Sequence, residues 1–105
     1  MILKRYDGSS IENPDWDEVE AYLDSLKQNG PLFAILKRKR MYYLQAHIND
    51  EGLFEMEFRE GSEDRHYHVD FACTREVMTD AFSSYFSNDN RWRTLLEWRR
   101  ETGAA

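Results

Sequence analysis

The sequence predicts an α+β domain, an antiparallel β-meander sheet with helices packed on one face, in the order β-α-β-β-β-β-α-α. Three observations predict it. Segments 41–48, 53–60 and 65–71 alternate apolar with polar residues, the period of a half-buried strand. The links between them, Asn49-Asp50-Glu51-Gly52 and Gly61-Ser62-Glu63-Asp64, are short and turn-forming, so neighbouring strands run antiparallel. Segments 14–28 and 74–86 instead carry apolar residues at helical spacing.

Taken in order, residues 1–7 read as a short first strand ending at the Gly8-Ser9-Ser10 turn. Asn13-Pro14 reads as a helix start, with Asn13 as N-cap and Pro14 at the first helical position. Trp16, Val19, Leu23 and Leu26 then form one stripe of a helix reaching about Gln28, which Asn29-Gly30-Pro31 ends. Residues 32–36 form a short apolar strand, and Lys37-Arg38-Lys39-Arg40 reads as a charged turn. The next strand puts Tyr42, Leu44, Ala46 and Ile48 on one face and Tyr43, Gln45 and His47 on the other. Its successor sets Phe54, Met56 and Phe58 against Glu55, Glu57 and Arg59. The fourth sets Tyr67, Val69 and Phe71 against His66, His68 and Asp70.

Thr74 is a suitable N-cap for a helix with Val77, Met78, Ala81, Phe82 and Tyr85 on one stripe. Ser87-Asn88-Asp89-Asn90 breaks it. A last helix, capped by Asp89 or Asn90, carries Trp92, Leu95 and Leu96, with Trp98 off the stripe. Residues 102–105 read as a frayed tail.

The chain has 105 residues, the size of a single domain, taken here as 1–105. Apolar residues make up 41% and aromatics 14%, too many for a disordered chain. There are 14 Lys and Arg against 20 Asp and Glu, a formal net charge of −6. That balance disfavours nucleic acid as main partner and suits a basic one. Cys73 is the single cysteine, which excludes an internal disulfide and a cysteine-built zinc cage. No apolar run suggests a signal peptide or a membrane span, so the expectation is a soluble, cytoplasmic protein.

The polar face of the meander is the first place to look for chemistry. It gathers Tyr43, Gln45, His47, Glu55, Glu57, Arg59, His66, His68 and Asp70. His66, His68 and Asp70, with His47, offer imidazole and carboxylate groups of the kind zinc or non-haem iron takes. Successive same-face residues on one strand are about 6.6–6.8 Å apart, however, which is wide for one ion. Cross-strand ion pairing accounts for the same residues without a ligand.

Acidic residues are the second feature. Asp15, Asp17, Glu18, Glu20 and Asp24 crowd the first helix, where the early ones complement its dipole. Residues 41–64 then hold seven acids and one base, Arg59. A solvated surface accounts for that block, and so does a docking surface for a cationic protein. The basic run at 37–40, flanked by Tyr42 and Tyr43, leaves a minor RNA-binding alternative. Known nucleotide-binding, nucleophile-elbow and metalloprotease motifs are missing, so the expectation is not an enzyme and no cofactor.

Several segments carry a resemblance. They are Trp16-Asp17-Glu18-Val19-Glu20, Tyr43-Leu44-Gln45-Ala46, Glu57-Phe58-Arg59-Glu60, Arg65-His66-Tyr67, Ala81-Phe82-Ser83-Ser84-Tyr85, Asp89-Asn90-Arg91-Trp92-Arg93 and Glu97-Trp98. Over residues 14–98 the chain resembles small α+β immunity proteins of bacterial polymorphic toxin systems, the type often found beside deaminase-fold toxins. The resemblance implies a non-enzymatic inhibitor that binds a cognate protein toxin with a basic surface. On that expectation the contact candidates are Asp17, Glu18, Asp24, Tyr43, Glu55, Glu57, Glu60 and Trp98. The alternatives are a metal-binding protein or metal-dependent enzyme using His47, His66, His68 and Asp70, and a regulatory interaction module. Trp16, Phe82, Tyr85 and Trp92 are read as core.

Overall fold

In a computed structural model, which describes residues 1–101, the chain is α+β, with one antiparallel sheet of seven strands and a helical layer on one face. The proposed frayed tail at 102–105 lies outside the described residues. The elements are β1 (Ile2–Arg5), β2 (Ser10–Glu12), α1 (Trp16–Asp24), β3 (Phe33–Lys39), β4 (Tyr42–Ile48), β5 (Phe54–Glu60), β6 (His66–Val69), α2 (Arg75–Phe86), α3 (Trp92–Leu95) and β7 (Trp98–Arg100). The strand order is β2-β1-β3-β4-β5-β6-β7, so the meander from β3 to β6 forms the centre.

Alternation along the central strands sets the two faces. In β4 and β5, Leu44 lies opposite Phe58, Ala46 opposite Met56, and Ile48 opposite Phe54. These residues, with Leu3 and Leu36, are buried against Val19 and Leu23 of α1 and Met78, Ala81 and Phe82 of α2. Phe58 anchors one end of this core. It stacks on Tyr67, with ring centroids 4.5 Å apart, and meets Trp92 and Trp98 edge-on at 4.8 and 4.7 Å. Of the expected core aromatics, Phe82, Tyr85 and Trp92 are buried, and half-buried Trp16 packs on Phe86.

Local expectations are corrected at six places. Ser10 lies not in a turn but in β2, which pairs with β1. The first helix starts two residues late. Asn13 takes a left-handed conformation (φ 50°), and Asp15 caps the helix in a reciprocal box with Glu18, whose carboxylate accepts from the Asp15 N–H. That helix also stops at Asp24, where Ser25 caps it and Arg75 of α2 donates to the carbonyls of Leu23 and Leu26 at 2.7 and 2.6 Å. The run at 37–40 is mostly strand: β3 continues to Lys39 through a bulge at Arg38, and only Arg40 and Met41 make the turn.

The last correction concerns the C-terminal region. Its helix is a single turn, and Trp98, Arg99 and Arg100 form an edge strand on β6. Buried Ser84 holds the α2–α3 corner by donating to Asp89 and accepting from the Trp92 N–H at 2.9 Å. β6 itself ends at Val69, which leaves Phe71 outside the sheet and 81% exposed. Among the described residues no helix is long and apolar enough to cross a membrane.

Candidate functional site: the open face of the sheet

The helices cover one face of the sheet. The other face carries the second half of each alternation. Register places Gln45 opposite Glu57, His47 opposite Glu55, Tyr43 opposite Arg59, Glu57 opposite His68, Arg59 opposite His66, and His68 opposite Arg99. The polar set expected from alternation is therefore one contiguous surface. Gln45, His47, Glu55, Glu57 and His68 line a shallow depression of ≈ 400 Å³ near its centre.

Cross-strand partners tie this surface together. Glu57 Oε2 lies 3.0 Å from His66 Nε2, and Glu101 Oε2 lies 2.5 Å from His66 Nδ1. Arg99 binds Asp70 at 2.7 Å, with His68 3.8 Å from the same carboxylate. Beside these lie Phe33, Ile35 and Tyr43, half-buried, and Tyr6, which meets Phe33 edge-on at 5.3 Å. Burial raises the Tyr43 hydroxyl above its ordinary pKa, so it stays a neutral donor through the physiological range. The surface thus joins charged residues of both signs to aromatic and aliphatic area, a composition common at protein interfaces.

The residues of the metal alternative lie on or beside this same surface. His47, His66, His68 and Asp70 share the face but do not converge. Both ring nitrogens of His66 are taken by carboxylates, and the Asp70 carboxylate that His68 approaches is bound by Arg99. Among the described residues no group of three or more His, Cys, Asp or Glu is placed to hold an ion.

The contact candidates fall in three places. Tyr43, Glu55 and Glu57 are on the open face. Asp17, Glu18 and Asp24 belong to α1, in the layer on the other side of the sheet. Glu18 is occupied as the capping partner of Asp15, and Asp24 lines a groove between α1 and α2 with Glu20, Glu76 and Asp80. Glu60 and Trp98 also lie on the helix side. Arg93 and Arg65 bind Glu60, and the Arg93 hydrogen bond, with the charges of Arg93, Arg65 and Arg38, holds its carboxyl below the usual range. Trp98 is half-buried against Phe58 and Trp92, and its indole N–H donates to the Trp92 carbonyl at 3.2 Å. These two side chains serve the fold first. No single flat contact can include all eight residues.

Cys73 is half-buried beside Phe54, with which it exchanges backbone hydrogen bonds. Burial pushes its thiol up to about 11, which leaves little thiolate at neutral pH. Comparison with known proteins finds no matching family model, no similar curated protein and no similar solved structure.

Proposed function

We propose that this chain is a protein-binding domain of the immunity type, which neutralises a cognate bacterial toxin by occupying it with the open face of the sheet. The observation that carries the reading is the uncovered face itself. Tyr43, Gln45, His47, Glu55, Glu57 and His68 form one ordered surface around a shallow depression, beside half-buried Phe33 and Ile35. Pre-paired side chains lose little further freedom on binding. Glu55 is exposed and, among the described residues, has no ion-pair partner, so it can meet a cation on the partner.

Two other features support the reading. The net charge of −6 complements the basic substrate groove that toxins acting on nucleic acid carry. The aromatic and charged landmarks of residues 14–98 resemble those of small immunity proteins. In this reading the chain acts by binding and occlusion, not by catalysis, and works where the toxin is made.

The test is co-purification. The tagged chain is expressed with its neighbouring genes in native order, and stoichiometric partners are identified. The expected result is one co-eluting polypeptide that kills cells when expressed alone. Recovery of the chain with no partner, or with one that is harmless alone, overturns the immunity reading.

A further inference from the structure

The fold concentrates positive charge at one end of an acidic molecule. Pairing of β4 with β5 brings the β3–β4 turn beside the β5–β6 turn, and the Gly61 N–H donates to the Met41 carbonyl at 2.7 Å. Arg38 of the run Lys37-Arg38-Lys39-Arg40 therefore acts on Glu60 together with Arg65 and Arg93, which come from distant parts of the chain. Arg100 of β7 reaches the same turn and donates to the Asp64 carbonyl at 2.8 Å. Against these cations stand Glu60, already bound by Arg93 and Arg65, and the exposed Glu63 and Asp64. Arg38 is turned inward, donating to the Tyr85 carbonyl at 2.8 Å with its guanidinium 3.8 Å from the Tyr85 centroid, so the exposed cations of the run's tip are Lys39 and Arg40. The opposite end of the sheet carries Asp7, Asp50, Glu51 and Asp70 in its turns.

We infer that this basic end is a second binding surface, fitted to an acidic segment of a protein. Arg40 and Lys39 are exposed at the tip of the β3–β4 hairpin. An approaching carboxylate meets several cations at once, and their combined field exceeds that of one surface pair. The aromatic rings argue for carboxylates over nucleic acid. Lys39 lies 4.6 Å from the Tyr42 centroid and Arg59 5.7 Å from that of Tyr43, so both rings are already engaged by cations where a nucleobase would stack. The net charge of −6 also repels a long polyphosphate, whereas a short acidic segment can sit at the tip alone. This surface is independent of the open-face reading.

The test uses the full chain and a labelled peptide of about ten glutamates, with fluorescence anisotropy at low salt. A ten-nucleotide oligo-dT and a lysine peptide of the same length run beside it. The expected result is saturable binding of the glutamate peptide, weakened as salt rises. The Lys39→Glu, Arg40→Glu double variant should lose about tenfold or more in affinity, while Glu55→Gln, Glu57→Gln should lose none. Lys39→Gln with Arg40→Gln gives the same readout should the charge reversal disturb folding, which circular dichroism reports. No binding of the glutamate peptide overturns the inference, and so does oligo-dT binding as tightly. Self-association in sedimentation that the double variant abolishes also overturns it, since the tip would then hold a second copy. None of these readings needs the toxin, so either proposal can fail alone.

Discussion

The two faces of the sheet are built by the same strands and behave as different materials. On the helix side Leu3, Leu36, Leu44, Ala46 and Phe54 are fully buried, and their partners are aliphatic and aromatic carbon from α1, α2 and α3. On the open side Gln45, His47, Glu57 and His68 are half-exposed, and their partners are one another. Burial against helices yields free energy in proportion to the area removed from water. Cross-strand polar pairs add a few tenths of a kcal/mol to about 1 kcal/mol each. The helix side therefore specifies the fold. The open side is free to be specified by something else, and a partner is the simplest such thing.

Substitutions on each side sharpen that contrast. The largest effect belongs to Phe58→Ala, which removes the ring that Tyr67, Trp92 and Trp98 share. It should cost about 3–5 kcal/mol in denaturant unfolding, with loss of near-ultraviolet aromatic ellipticity. Arg75→Ala removes both bonds that close the end of α1 and the cation lying over Phe54. It should cost about 2 kcal/mol by the same measurement.

Glu60→Gln is smaller, about 1 kcal/mol, because the ion pairs it breaks are partly solvated. Its signature is in the pH dependence. The carboxyl of Glu60 titrates below its ordinary value in the folded chain, so its contribution is complete above the ordinary value and is lost as pH falls from there through the lowered one. The melting temperature of Glu60→Gln should accordingly fall less steeply in acid than that of the parent. Smallest of all is Glu55→Gln with His47→Gln, a pair opposite each other on the open face. Its unfolding free energy should change by under about 0.5 kcal/mol. A loss comparable to that of Phe58→Ala would erase the distinction between the faces.

The contrast between faces was legible in the sequence because period-two alternation is a long-range signal repeated in three strands. Every apolar residue assigned to the inner face of β4 and β5 sits there. The chain ends were harder to read. β2 has three residues and a single apolar one, Ile11, too short for alternation to register. β7 follows one turn of helix, and its clearest trace was Trp98 falling off the helical stripe. Asp15-Trp16-Asp17-Glu18 did carry the capping-box spacing, which Asn13-Pro14 overshadowed. The basic run at 37–40 read as a turn because of its charge, yet Lys37 faces the open side, the bulge turns Arg38 onto the Tyr85 ring 3.8 Å away, and Lys39 lies over Tyr42. As for the candidate site, composition pointed to acidic residues alike, whereas the odd spacing of three positions between Glu57 and Glu60 puts them on opposite faces of β5.

The most direct measurement is the affinity of the co-purified partner for two variants, by isothermal titration calorimetry. One carries Tyr43→Ala, Glu55→Lys and Glu57→Lys on the open face; the other carries Asp17→Lys and Asp24→Lys on α1. The account predicts that the first loses about 100-fold or more in affinity while still folded, and that the second binds within about threefold of the parent. Full binding by the open-face variant, with loss confined to the α1 variant, would contradict it and move the interface to the helical layer.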